Sequence, residues 1–104
     1  MSFGLSESQY HILKKKLLEP LWQKDVIIYA FGSRARGTHH PFSDIDILLV
    51  NSDNLPAGFL SELKEKLEDS KLEVKVDIVE EEYLAESYKN NVNAEKIEIH
   101  PMEI

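Results

Sequence analysis

The segment Ser43-Asp44-Ile45-Asp46-Ile47-Leu48-Leu49-Val50 leaves little choice of conformation. Side chains on a strand alternate between faces, so Asp44 and Asp46 point one way while Ile45, Ile47 and Leu49 point the other. A chain built around this segment has to set one apolar sheet face against a core and carry two carboxylates on the opposite face. Same-face neighbours on a strand lie about 6–7 Å apart. Like charges at that separation repel, and a cation between them relieves the cost.

Other segments supply the rest of the sheet. Asp25 to Phe31 is a continuous apolar run of strand length, which suits a strand covered on both faces. Leu72 to Val79 alternates, with Leu72, Val74, Val76 and Ile78 on one face and Asp77 on the other. Lys96 to His100 alternates briefly and reads as a short edge strand. Ser6-Glu7-Ser8-Gln9 forms a capping box. Tyr10, Leu13, Leu17, Leu18 and Leu21 follow at helical spacing, and Pro20 is expected to end that helix near Glu19. Phe59, Leu60, Leu63 and Leu67 mark a second helix, ending near Ser70. A third is expected over Glu81 to Asn90, with Tyr83, Leu84 and Tyr88 inward. Trp22 and Tyr29 read as core residues. The order predicts an α/β (α+β) fold: a small mixed β-sheet with helices packed mainly on one side. A length of 104 residues fits a single domain over residues 1–104.

Charge narrows the function. The formal net charge of −7 argues against direct nucleic-acid binding, which needs a basic surface. A mononucleotide remains open, because a local cradle and a divalent metal can hold it. Only two of the twelve basic residues are arginines, and Arg34 and Arg36 share one loop. With no cysteine there is neither a disulfide nor a thiolate metal site. No apolar run approaches the ~20 residues of a membrane helix. The N-terminus lacks the basic-then-apolar pattern of a signal peptide, so the expected location is the cytoplasm, without a membrane.

Phe31-Gly32-Ser33-Arg34-Ala35-Arg36-Gly37 precedes the paired carboxylates. Gly32 allows a tight turn, and residues 33–37 read as one short helical turn stopped by Gly37. Amides at its start, with the Ser33 hydroxyl, can receive an anion. If the strand carrying Asp77 pairs with Asp44–Val50, one register sets Asp77 beside Asp44 and Asp46. Hard oxygen ligands suit Mg²⁺ or Mn²⁺. A Gly-Ser or an Asp-x-Asp alone is usually a turn or a surface. Together, at a frequency of roughly 6% per position, they start by chance about once in 10⁵ positions. His39 and His40 read as solvated loop residues, and Glu80-Glu81-Glu82 as a solvated helix start.

Gly32-Ser33-Arg34-Ala35-Arg36-Gly37 and Ser43-Asp44-Ile45-Asp46-Ile47-Leu48 resemble the motif of the polymerase-β-like nucleotidyltransferase superfamily, in particular its minimal, MntA-like antitoxin group. The likeness spans about Leu13 to Val79. It implies the polymerase-β palm-like fold. It implies two Mg²⁺ ions on Asp44, Asp46 and Asp77, which would be both metal ligands and catalytic groups. It places the outer phosphates of ATP at Gly32 and Ser33, with Arg36 a usual family residue there. Minimal members of the group are often encoded beside a HEPN-domain ribonuclease toxin and transfer AMP to its tyrosine, so a HEPN-domain partner is implied. Two rival readings are a non-catalytic subunit that neutralises a partner by binding, and nucleotidyl transfer to a small molecule such as an aminoglycoside.

Overall fold

The computed structural model describes residues 3–101. Its N-terminal helical rod begins at the capping box. The Ser6 hydroxyl accepts the Gln9 N–H at 3.1 Å, and the Gln9 side chain accepts the Ser6 N–H at 2.9 Å. The rod runs as α1 (Glu7–Leu13), a π-helical stretch (Lys14–Leu18) and α2 (Glu19–Trp22). Pro20 therefore does not end it. Proline lacks an N–H and its ring crowds the carbonyl four residues back. The wider π turn absorbs that conflict: the Glu19 N–H reaches back five residues to the Lys14 carbonyl, and the helix resumes.

There follow β1 (Ile27–Phe31), the single-turn α3 (Gly32–Arg36), β2 (Ile45–Val50), α4 (Phe59–Glu68), β3 (Val76–Glu80), a 3₁₀ turn (Glu81–Tyr83), α5 (Glu86–Glu95) and β4 (Ile97–Glu98). The sheet order is β3-β2-β1-β4. β1 is antiparallel to β2 and β4, and β2 is parallel to β3, so the sheet is mixed. Leu13, Leu17, Leu18 and Leu21 of the rod and Leu63 and Leu67 of α4 form one core with Ile28, Ala30, Ile45, Ile47 and Leu49 of the sheet. The helices thus cover the face that the alternation of Asp44–Val50 made apolar. Among the described residues no helix is long and apolar enough to cross a membrane.

Several expectations are corrected. β1 is covered on one face only: Ile28 and Ala30 are buried, whereas Ile27 is exposed. Tyr29 lies outside the core cluster, with the Lys96 ammonium 4.3 Å above its ring, while Trp22 does pack against the core. β3 starts at Val76 rather than Leu72, because its parallel partner begins at Ile45, whose N–H bonds the Lys75 carbonyl at 2.9 Å. Upstream residues have no strand to pair with, yet Val74 is still buried. The third helix is broken. Leu84 and Ala85 are extended, so a 3₁₀ turn precedes α5, and Tyr83 and Tyr88 are 76% and 62% exposed rather than inward.

Candidate functional site

The site grows from the turn at Gly32. The backbone there is left-handed, at φ +76°, a region glycine enters without penalty. A Cβ at Gly32 would also overlap a carboxylate oxygen of Asp46, which sits directly against it. β1 and β2 bring this about, because Phe31 stands opposite Asp46 in their register. On the other side of β2 the parallel ladder pairs Asp46 with Asp77. Adjacent strands lie about 4.8 Å apart, so the two aspartates are immediate neighbours. Asp44 precedes β2 by one residue and is exposed, as is Asp77, while Asp46 is half-buried.

This crowding acts on Asp46. Burial raises its carboxyl above the ordinary value, and the charges of Asp77 and Asp44 push in the same direction. Arg36 opposes them, and Glu95 adds a small further push upward. Glu95 behaves in the opposite sense. Its carboxyl is lowered, chiefly by a hydrogen bond from Arg36 and further by one from the Gly32 N–H, against the effect of burial. One Glu95 oxygen accepts the Gly32 N–H at 3.0 Å and the other accepts from the Arg36 guanidinium at 2.8 Å.

Arg34 has a different task from Arg36. It is buried and donates to three carbonyls: Ser43 at 3.0 Å, Phe3 at 2.9 Å and Pro41 at 3.2 Å. It thereby folds the loop leading into Asp44 onto the N-terminal segment. Within that loop the Ser43 hydroxyl accepts the His40 N–H at 2.8 Å, and the Ser43 N–H bonds the His40 carbonyl. His40 is exposed. His39 is half-buried against Gly4, and its Nδ1 has no hydrogen-bond partner.

Gly32, Arg36, Asp46 and Asp77 are thus gathered at one end of the sheet, with Ser33 next in the turn and Asp44 at the entry to β2. Among the described residues no three Asp, Glu or His side chains stand close enough together to hold a metal ion as they are oriented. The donor chemistry still fits a hard divalent cation: three carboxylates on neighbouring backbone positions, one of them destabilised as an anion by burial and by the other two. Asp44 and Asp77 are exposed to solvent there. The groove between α4 and the segment entering β3, about 230 Å³, is lined by Leu67, Leu72, Val74 and Ile78 among others and does not reach the aspartates. The sequence marks Arg34 without giving it a role, and it does not mark Glu95. A lone pair of arginines among lysines was the available hint for Arg34. Glu95 lies 63 positions from Gly32 and carried no local signal.

The fold and these residues define a class. Residues 12–100 match the nucleotidyltransferase domain family, and the chain belongs to it. Within that class the likeness extends to MntA proteins. The protein adenylyltransferase MntA of Shewanella oneidensis is 43% identical over 65 residues, covering 62% of this chain and 46% of that protein. A bifunctional uridylyltransferase/uridylyl-removing enzyme of Vibrio parahaemolyticus is 37% identical over 83 residues, covering 70% of this chain and 9% of the enzyme. The chain therefore spans less than half of the length of these two relatives. Among solved structures, a toxin–antitoxin complex with AMP-PNP superposes with a TM-score of 0.64 at 29% identity, covering 86% of this chain and 74% of the other. A tri-AMPylated Shewanella oneidensis HEPN toxin in complex with MNT antitoxin gives a TM-score of 0.56 at 25% identity, covering 85% and 69%.

Proposed function

We infer that this protein is a Mg²⁺-dependent protein adenylyltransferase, acting as antitoxin by transferring AMP from ATP to a hydroxyl of a HEPN-type partner in the cytoplasm. The observation that supports this reading best is the pairing of Asp46 with Asp77 directly beside the Gly32 turn. It sets carboxylates for a metal next to backbone that phosphates can approach closely. The AMP-PNP-bound and AMPylated-toxin structures of its relatives supply the nucleotide and the acceptor class.

In this reading the acceptor oxygen attacks the α-phosphorus, the bond to the bridging oxygen breaks, and pyrophosphate leaves as the hydroxyl proton is lost. Mg²⁺, when bound, supplies activation of the acceptor oxygen and stabilisation of the departing charge. Asp44, Asp46 and Asp77 would hold it. Gly32 lets the triphosphate lie against the backbone, the Ser33 hydroxyl donates to a phosphate oxygen, and Arg36 contributes positive charge. In the same reading Asp77 also helps to remove the acceptor proton. The acceptor itself comes from the partner, which docks over the open surface and supplies the positioning.

One observation favours a second reading. Glu95 occupies the Gly32 N–H and Arg36, as expected of a subunit that neutralises its partner by binding alone. Incubation with α-labelled ATP, Mg²⁺ and the HEPN-type partner, read by intact mass, separates the two. A partner gain of one AMP, abolished by Asp46→Asn, is expected. Stable complex formation without any mass gain would instead establish the binding-only subunit.

A further inference from the structure

Glu95 closes α5, and its backbone is not free to drift. The Lys96 N–H bonds the Val92 carbonyl at 2.8 Å, and β4 follows at once, pairing Ile97 with Ala30 and Glu98 with Tyr29. The helix and the edge strand therefore deliver the Glu95 carboxylate to a fixed place. Its two oxygens take up two groups that the reading above assigns to the nucleotide, the Gly32 N–H and the Arg36 guanidinium. A carboxylate offers them the same things as a phosphate edge: negative charge and two acceptor oxygens. A phosphate cannot take the Gly32 N–H while Glu95 holds it, and at Arg36 it has to share the guanidinium with Glu95. The side chain is only 25% exposed, so it is packed in place rather than floating past.

We propose that Glu95 is an internal competitor for the nucleotide, a latch that a triphosphate has to displace before it can engage Gly32 and Arg36. This rests on the assignment of those two residues to nucleotide binding. Because the backbone is anchored by β4, rotation of the side chain is enough to open the latch. The apparent dissociation constant then equals the intrinsic one divided by the fraction of molecules in which Glu95 has swung away. Glu95 thus sets affinity without touching the reacting atoms.

Binding of the fluorescent analogue mant-ATP with Mg²⁺ to the wild-type chain and to Glu95→Gln tests this. Glutamine keeps the size and an acceptor for the Gly32 N–H but gives up the charge that holds Arg36. The variant is expected to bind about fivefold more tightly, the range for release of a partly exposed ion pair. In the wild type, ATP should shift the Gly32 amide resonance as its carboxylate partner is exchanged. Glu95→Asp, too short to span both partners, serves if the glutamine variant fails to fold. Equal or weaker affinity in a folded variant, with binding still abolished by Asp46→Asn, would overturn the latch and leave the nucleotide site standing. Binding by neither protein would overturn the latch together with the site it guards.

Discussion

Asp46 stands between the other parts of the candidate site. It faces Phe31 in β1, Asp77 in β3 and the bare backbone of Gly32. Burial and the two neighbouring aspartates raise its carboxyl, so the folded state favours the protonated form. The stability from that preference is complete below the unfolded-state value of about 3.9 and is lost as pH rises through the raised folded value. At neutral pH the wild type holds an anion that its surroundings oppose. Asp46→Asn removes that anion while keeping the shape. In divalent-free buffer it should melt higher than the wild type at pH 7, the difference shrinking as pH falls through the raised folded value and gone once pH is below about 3.9. Adding Mg²⁺ should raise the wild-type melting temperature and leave the variant unmoved. A pH-independent difference between the two would show that charge at Asp46 is not what crowds the site.

At the scale of elements, Arg34 ties the loop between α3 and β2 to the N-terminal segment. Its guanidinium reaches the carbonyls of Ser43, Pro41 and Phe3. A guanidinium has five donors in a rigid fork, and an ammonium cannot satisfy three divergent acceptors in the same way. Arg34→Met should cost about 3 kcal/mol or more in urea unfolding, because buried carbonyls lose charge-assisted bonds. Arg34→Lys should recover little of it. Full recovery by lysine would mean that charge, not the fork, organises the loop. This is also where legibility in the sequence stops. The faces of Asp44–Val50 were readable because burying one side of a strand imposes a period of two, and Ile45, Ile47 and Leu49 are indeed fully buried. Asp77 could be placed beside Asp46 only conditionally, since register is a tertiary property. Pro20 misled because a π turn upstream, invisible to propensity, made room for it. Tyr83 and Tyr88 misled because their spacing imitates an inward face, yet α5 buries Val92 instead. Glu95 reaches the site only through the pairing of β4 with β1, which no short-range pattern announces.

For the molecule as a whole, charge decides what can approach the open site. Nineteen acidic residues stand against twelve basic ones. Several of those cations are already engaged: Arg34 with carbonyls, Arg36 with Glu95, Lys15 with Glu19, Lys89 with Glu86 and Lys96 over the Tyr29 ring. A polynucleotide backbone gains affinity when such cations displace its counterions, and here acidic residues outnumber basic ones so that the surrounding field is repulsive. A mononucleotide differs, since its few phosphates can be met by a metal and a short stretch of backbone. The chain alone should therefore bind mant-ATP with Mg²⁺ but show no saturable binding to a labelled RNA of about 20 nucleotides at micromolar concentration, at either about 50 or 200 mM salt. Fluorescence anisotropy measures both on one sample. Saturable RNA binding that weakens steeply between the two salt concentrations would reveal a basic path along the surface, and would move the acceptor hydroxyl from a protein partner to a nucleic acid.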